Sequence, residues 1–256
     1  MSRDQPTEEG EVGPGSYRPL MSAERAERIR RWHTSAYREL SAGAGGDQMF
    51  SYLGRTLVVP PQVMPIGPMS HLLGEAVLSE VTEADRVLDM GTGSGVNAIL
   101  AASRSVEVVA VDINPHALAA ARDNAVGNGV ADRIEVCHSD VFRNVDGAFD
   151  LIIFDPPFRW FAPRDLLEAA TTDENYRAMT RFFRQSRRHL TDRGRMLIFS
   201  VAPETWPTSS NSATTRVSSV RCWPSTVWPR ADGRSTTSPS ASPSNQDRHL
   251  ITSLPN

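Results

Sequence analysis

The feature that most constrains the fold is an apolar run that ends in three glycines at alternate positions. The stretch from Val87 to Met90 is mostly apolar, and Gly91, Gly93 and Gly95 follow it directly. A helix-like run from Val96 to Ala102 comes next. This order predicts a buried strand that ends in a tight turn and opens a helix. A turn without side chains lets a ligand approach the backbone closely, and the helix amides help to hold it.

The spacing of these glycines argues against a dinucleotide ligand. The pattern here is G-x-G-x-G, whereas the dinucleotide fingerprint is G-x-G-x-x-G and would place its third glycine where this chain has Val96. We therefore expect a different ligand at the turn.

Short β-branched runs alternate with helical segments along residues 82–202. We predict strands at Arg86–Met90, Val106–Asp112, Arg133–His138, Phe149–Phe154 and Arg195–Ser200, with helices at Pro115–Gly127 and Asp173–Leu190. The alternation predicts an α/β fold with a doubly wound, mostly parallel sheet. Ligands of such sheets bind at the carboxyl ends of the strands.

The residues before this core form two predicted segments. Residues 1–20 are polar and rich in Gly, Pro and Glu, which is typical of a disordered tail. Residues 21–81 are predicted to form a helical extension with a hairpin. Its elements are a helix at Ser22–Leu40, a hairpin at Met49–Val59 that turns at Gly54-Arg55, and a helix at Ser70–Val81 capped by Ser70.

Composition narrows the class of protein. The net charge of −3 provides no global basic field for nucleic acid, although a local patch stays open. No apolar run approaches the roughly 18–20 residues of a membrane helix, so we expect no membrane partner. Cys137 and Cys222 offer neither a disulfide framework nor a zinc pattern, which favours the reducing cytoplasm. The six histidines are scattered, and we expect no metal site.

Residues 203–256 differ in character from the rest of the chain. They are dominated by Ser, Thr, Pro and Arg, yet they hold three of the five tryptophans. Disordered segments normally contain few aromatic residues, so a plain disordered tail fits this composition imperfectly. The chain has no Lys, which indicates a gene rich in G and C. A shifted reading of such a gene yields helix and strand patterning, so we hypothesise that the residues after about Phe199 are translated out of frame.

An acidic residue lies at or just past the end of each of the next two predicted strands. Asp112 ends the second strand, where a carboxylate can accept hydrogen bonds from ribose hydroxyls. The alternative is that Asp112 serves as the helix N-cap before Pro115. Asp140 follows the third strand and can accept from an adenine amino group, with Phe142 packing on the ring. The alternative for Asp140 is a solvated loop acid.

The fourth strand runs into the sharpest motif of the chain, Asp155-Pro156-Pro157-Phe158. The two prolines fix the backbone just past a buried strand. They direct the Asp155 side chain and the Pro156 carbonyl outward, where the two acceptors can hold both hydrogens of a planar amino group. Phe158 offers a face for stacking. The alternative is a Pro-Pro turn beside an acid without a role.

With these motifs, residues 60–200 resemble the class I S-adenosylmethionine-dependent methyltransferases. Within that class the chain is similar to the small methyltransferase domain group, which includes the HemK/PrmC glutamine methyltransferases and ribosomal RNA guanine methyltransferases. The resemblance implies a Rossmann-like fold that binds S-adenosyl-L-methionine. The cofactor-binding residues that it implies are Asp89, Gly91, Thr92, Gly93, Gly95, Asp112, Ile113, Asp140 and Val141. It also implies that Asp155, Pro156 and Phe158 bind the amino group that is methylated.

The resemblance implies an N-methyltransferase acting on a conjugated amino group of RNA or protein. PrmC-type enzymes carry Asn and Tyr where this chain has Asp155 and Phe158, and the form seen here is closer to nucleobase methyltransferases. The glycine motif and the Asp112 region look more HemK-like, so the resemblance leaves the subfamily open. A small-molecule methyltransferase and an inactive cofactor-binding remnant are the alternatives. Arg159 and Trp160 are predicted substrate contacts, and the arginines at 181, 184, 187 and 188 are interpreted as a solvated helix face or, less simply, a phosphate-binding patch. The family sheet has two further strands, and no strand is predicted after Ser200.

Overall fold

The central sheet is built from the predicted strand and helix alternation. The computed structural model describes residue 17 and residues 19–43, 45–67, 70–201 and 218–224. After an N-terminal part described below, the elements are β3 (Arg86–Met90), α3 (Val96–Ala101), β4 (Glu107–Asp112), α4 (Pro115–Gly127), β5 (Ile134–His138), β6 (Phe149–Phe154), α5 (Leu166–Ala169), α6 (Arg177–Gln185), β7 (Leu190–Val201) and β8 (Ser218–Pro224). The six strands lie in the order β5-β4-β3-β6-β7-β8. All neighbours are parallel except β7 and β8.

The sheet is covered on both faces, which confirms the doubly wound α/β prediction. Alternate residues of β6 belong to different clusters, with Leu151 and Ile153 in one and Ile152 and Phe154 in the other. The first cluster includes residues of the helix at Ser70–Glu80 and of α3, and the second includes Phe182 of α6. A strand buried on both sides has no polar face, which is why β6 is apolar at nearly every position.

The N-terminal extension forms the predicted elements with small shifts. They are α1 (Ala23–Gly43), β1 (Gln48–Tyr52), β2 (Arg55–Val59) and α2 (Ser70–Glu80). The hairpin turns at Leu53-Gly54, not at Gly54-Arg55, because both of these residues take positive φ angles, 46° and 76°. Ser70 begins α2, but its hydroxyl accepts from the Gly67 N–H at 3.1 Å, so it does not cap the helix amides as predicted.

The predicted helix at residues 173–190 is divided into three parts. Short 3₁₀ turns at 174–176 and 186–189 flank α6. Asn175 and Tyr176 have φ angles of 56° and 53°, which an α-helix does not accommodate. The Asp173 carboxylate accepts from the N–H groups of Ala178 and Met179 at 3.0 and 2.9 Å, so a new helix begins there.

The prediction of no strand after Ser200 is wrong. The strand β8 pairs antiparallel with β7, from Val201 opposite Ser218 to Arg195 opposite Pro224. Antiparallel pairing is made by backbone groups, so a strand can form without the apolar alternation that predicts one. The strand β7 also begins at Leu190 instead of Arg195, and its register against β6 shifts between Phe149 and Leu151. The rest of residues 203–256 lies outside the described residues.

One residue of the predicted N-terminal tail packs against the core domain. The Tyr17 N–H donates to the Asn175 side-chain oxygen at 2.7 Å, and its ring lies 4.9 Å from the ring of Tyr176. Residues 1–16 lie outside the described residues. In the part of the chain that the structure describes, no helix has both the length and the apolar character that a membrane span requires.

Candidate functional site

The glycine turn forms the floor of the site. The φ angles of Gly91, Gly93 and Gly95 are 71°, 54° and 85°, a region that favours glycine. The N–H groups of Gly91 and Thr92 both donate to the Val111 carbonyl, at 2.8 and 2.9 Å. These bonds tie the end of β3 to β4, so the turn is fixed by the neighbouring strand as well as by its own conformation.

The three glycines have different surroundings. A Cβ atom on Gly91 or Gly93 would meet nothing within 4 Å, and both residues line a cavity. A Cβ atom on Gly95 would lie 2.9 Å from the Cα atom of Ala121 in α4. The structure therefore places Gly95 in the contact between α3 and α4, whereas Gly91 and Gly93 leave space for a ligand.

Asp89, the acid before the turn, supports the turn from below. It is only 1% exposed, and its carboxylate accepts from the Thr92 hydroxyl at 2.6 Å and the Ala98 N–H at 3.1 Å. Burial, opposed by these hydrogen bonds and reinforced by the charge of Asp112, raises the pKa of Asp89 to about 6. Asp89 thus joins the turn to the first turn of α3 and does not itself line the cavity.

Asp112 stands beside the turn at the end of β4. Its carboxylate accepts from the Gly93 N–H and from the Asn114 N–H, each at 2.9 Å. Burial raises the pKa of Asp112, against the effect of these bonds. The N-cap of α4 is Asn114, whose side chain accepts from the His116 N–H at 3.0 Å, so the alternative reading of Asp112 as the cap is wrong. Asp112 lines the cavity and keeps acceptor sites for a ligand.

Asp140 lies at the same edge of the sheet, beyond β5. Both of its carboxylate oxygens accept from Arg181 of α6, at 2.6 and 2.7 Å, and Asp140 lines the cavity. Val141, also at the cavity, has a φ angle of 55°. The prediction that Phe142 packs on a ligand ring is not met, because Phe142 is buried in the core, 4.3 Å from the ring of His189. The sequence of this loop does not indicate that the Phe142 ring points into the core.

The Asp-Pro-Pro-Phe motif stands opposite the glycine turn, after β6. The Asp155 side chain faces the cavity and accepts no hydrogen bond from the described residues. Asp155 is exposed at the wall of the cavity, and the partial desolvation of its carboxylate there, together with the charge of Asp89, raises the pKa of Asp155 to about 7. Pro156 is buried, and the Phe158 ring lies 6.4 Å from that of Phe199. Asp155 is therefore an acceptor that the protein itself leaves available.

The two residues after the motif do not face the cavity, contrary to the prediction. Arg159 and Trp160 are 6% and 5% exposed. The Arg159 guanidinium lies over the rings of Trp32 and Phe158, at 5.9 and 5.5 Å, and its burial lowers its pKa to about 10. Trp160 packs near Tyr17. Both residues attach the segment after the motif to the N-terminal part of the chain. The motif alone does not predict these contacts.

The cavity, of about 250 Å³, joins these parts. It is lined by the predicted site residues Gly91, Thr92, Gly93, Asp112, Ile113, Asp140, Val141 and Asp155. The predicted site residues that are not part of this lining are Asp89, Gly95, Pro156 and Phe158. Sequence reasoning missed Asn97 on α3, the loop from Val63 to Ile66 and the wall formed by α5. Asn97 was detectable as a polar residue at the start of the helix that follows the turn.

The charge of the cavity is one-sided. Asp112, Asp140 and Asp155 line it, and the described lining residues include no Arg or His. Such a surface favours a cationic ligand over a polyphosphate. Within the described residues there is no group of three His, Cys, Asp or Glu that could hold a metal ion.

A family model described as "Methyltransferase small domain" matches residues 66–211, which is more than half of the chain. The chain belongs to this family. The matched residues contain the glycine turn, Asp112, Asp140 and Asp155, so most of the cavity lining lies within the family match. The cofactor of small-domain methyltransferases is S-adenosyl-L-methionine, whose sulfonium cation suits the acidic lining described above.

The chain is similar to methyltransferases with different acceptors. It is 38% identical over 115 residues to the release factor glutamine methyltransferase of Cereibacter sphaeroides, covering 44% of this chain and 40% of that protein. It is 37% identical over 101 residues to the tRNA1(Val) (adenine(37)-N6)-methyltransferase of Klebsiella pneumoniae, covering 37% and 40%. A solved Thermus thermophilus 16S rRNA N2 G1207 methyltransferase aligns with a TM-score of 0.47 at 23% identity, over 60% and 41% of the two chains. The chain thus spans about two-fifths of the length of these proteins.

Proposed function

We propose that this protein is an S-adenosylmethionine-dependent N-methyltransferase that acts on a conjugated amino group of RNA or protein. One observation carries the proposal: Asp155 faces the cavity as an acceptor without a hydrogen bond from the described residues, at the same sheet edge as the glycine turn and Asp112. A cavity-lining carboxylate that no described protein group engages keeps its acceptor sites for a ligand. An amino group with two N–H donors is such a ligand.

The residues around the turn fit the proposed cofactor. Gly91 and Gly93 leave the backbone open on the cavity side, and Asp112 offers acceptors for ribose hydroxyls. When bound, the cofactor supplies a methyl group activated by its sulfonium. The contribution of the chain is then to orient the acceptor and to exclude water.

Asp155 and the Pro156 carbonyl would orient the acceptor. The lone pair of a conjugated amino group is delocalised, so the nitrogen is a weak nucleophile. Hydrogen bonds from both N–H groups to the two protein acceptors favour a pyramidal nitrogen and direct its lone pair toward the methyl group. Because the pKa of Asp155 is about 7, the ionised acceptor dominates only above that pH, and transfer is expected to increase as the pH rises through 7.

The relatives support amino acceptors in both macromolecular classes. The names of the two curated relatives specify a glutamine of a release factor and an adenine N6 of tRNA. In both, the reacting nitrogen is attached to an unsaturated carbon. We also propose that the reaction takes place in the cytoplasm, since the two cysteines of the sequence offer no pattern typical of a disulfide framework.

The test separates binding from transfer. Calorimetry should show that the wild type and Asp155→Ala both bind S-adenosylmethionine. The wild type should transfer tritium from labelled cofactor to components of a lysate, whereas Asp155→Ala should not. Asp132→Ala removes an exposed acid outside the cavity and serves as the control. Label in the RNA or protein fraction supports the proposal. Three results would contradict it: label confined to small molecules, binding of the cofactor by the wild type without any transfer, and transfer by Asp155→Ala.

A further inference from the structure

Asp140, one of the acids that line the cavity, forms an ion pair with Arg181 of α6. The two guanidinium nitrogens donate to the two carboxylate oxygens at 2.6 and 2.7 Å, in parallel. The residues are 41 positions apart, and about two-fifths of each side chain is exposed. A bidentate pair fixes the plane of the carboxylate as well as its position.

Arg181 comes from a helix that belongs to the other half of the site. The helix α6 follows the segment that begins at the Asp-Pro-Pro-Phe motif, and the Asp173 carboxylate holds its first turn. Ala178 of α6 lines the cavity, and Arg181 lies three residues further along the same face of the helix. The helix therefore passes the cavity and then reaches Asp140.

We propose that Arg181 is a positioning residue that orients Asp140 to accept a hydrogen bond from the amino group of the cofactor's adenine. The inference rests on the proposed function, because it requires an adenosyl ligand. A carboxylate has about four acceptor sites, of which the arginine occupies two, so the others stay available on the cavity side. Without Arg181 the exposed Asp140 side chain is free to rotate, and the ligand must restrict that rotation when it binds.

The consequence is selectivity between an amino and a keto group on the base. A fixed carboxylate accepts from the amino group of adenine, but it repels the keto oxygen that replaces this group in hypoxanthine. We expect calorimetry to give the wild type a preference of about tenfold for S-adenosylhomocysteine over S-inosylhomocysteine, the value of one charge-assisted hydrogen bond at a half-exposed site. Asp140→Ala should abolish the preference.

The variants of Arg181 then test the positioning role. Arg181→Ala should reduce the preference to about two- or threefold, and Arg181→Lys should restore it only in part, because an ammonium group cannot bind both oxygens in a fork. The matched control is Arg177→Ala on the same helix, which removes the exposed pair with Glu174 at 3.1 Å and should leave the preference unchanged. In the Asp140→Ala background, Arg181→Ala should have no further effect on the binding of either ligand.

The outcomes distinguish the positioning role of Arg181 from the proposed function. An unchanged or larger preference in Arg181→Ala, or an equal effect of Arg181→Ala with and without Asp140, would overturn the positioning role while the proposed function stands. Failure of S-adenosylhomocysteine to bind the wild type would overturn the proposed function itself. Because the pair is partly exposed, the preference should also decrease as the salt concentration rises, whereas the control variant should not alter that dependence.

Discussion

The glycine turn offers a sharp test, because two of its glycines have the same backbone requirement and different neighbours. Gly93 and Gly95 both have positive φ angles, 54° and 85°. An added Cβ atom meets nothing within 4 Å at Gly93, whereas at Gly95 it meets the Cα and Cβ atoms of Ala121 at 2.9 and 3.0 Å. Replacing each glycine by alanine in turn therefore separates the strain of the turn from the packing of α3 on α4.

The expected losses follow from this difference. Alanine in the left-handed region costs about 1–2 kcal/mol, and the lower entropy of the unfolded alanine chain returns about 0.4–1 kcal/mol. Gly93→Ala should thus reduce the free energy of unfolding by roughly 0–1.5 kcal/mol. Gly95→Ala adds overpacking against backbone atoms, which costs about 1–3 kcal/mol more.

Affinity for the cofactor should show the opposite order. The methyl group of Gly93→Ala projects into the cavity where a ligand is expected, so this variant should lose S-adenosylmethionine binding by calorimetry while its unfolding in urea stays close to that of the wild type. Gly95→Ala should unfold at a lower urea concentration but, where it is folded, bind more nearly like the wild type. Equal loss of stability in both variants, or tight binding by Gly93→Ala, would refute the reasoning.

Three further changes test other parts of the molecule. Glu168→Ala removes the buried carboxylate that accepts from His33 and Arg164, at 2.9 and 2.7 Å, and should lower the free energy of unfolding in urea by about 3 kcal/mol; a loss below about 1 kcal/mol would contradict this. The neutral form of Asp155 stabilises the fold fully below about pH 4, and this contribution is lost as the pH rises through about 7. The Tm of Asp155→Asn should therefore exceed that of the wild type by more at pH 8 than at pH 5, and a constant difference would argue against the raised pKa. Correcting the reading frame after Phe199 should raise the Tm, and an unchanged Tm would argue against the frame-shift hypothesis.

The sequence predicts well those elements whose signals lie within the element itself or directly beside it. The bounds of β3 and β6 agree with the prediction because each is an apolar run closed by glycine or proline. The bounds of α4 also agree, since Asn114 and Pro115 specify its start. In each of these elements the signal and the structure occupy the same few residues.

The parts that sequence misses depend on residues far apart in the chain. The bond between His33 and Glu168 joins positions 135 apart, and it attaches α1 to the segment that walls the cavity. Trp160 was predicted to contact substrate because it follows the motif, but its environment is set by Tyr17, Arg30 and Phe161. No local period or spacing contains that information.

The two halves of the cavity therefore differ in how they are specified. The cofactor half is built from the ends of β3, β4 and β5, where a buried parallel sheet leaves little freedom to the backbone. The acceptor half beyond Asp155 is built from α5 and from the segment that the N-terminal extension covers, through contacts such as that of His33 with Glu168. If relatives that methylate glutamine and adenine share the first half, the choice of acceptor must be encoded in the second. Exchanging the segment at residues 159–173 should then change the acceptor that is methylated while the affinity for S-adenosylmethionine is retained, and a parallel loss of both would show that the two halves are not separable.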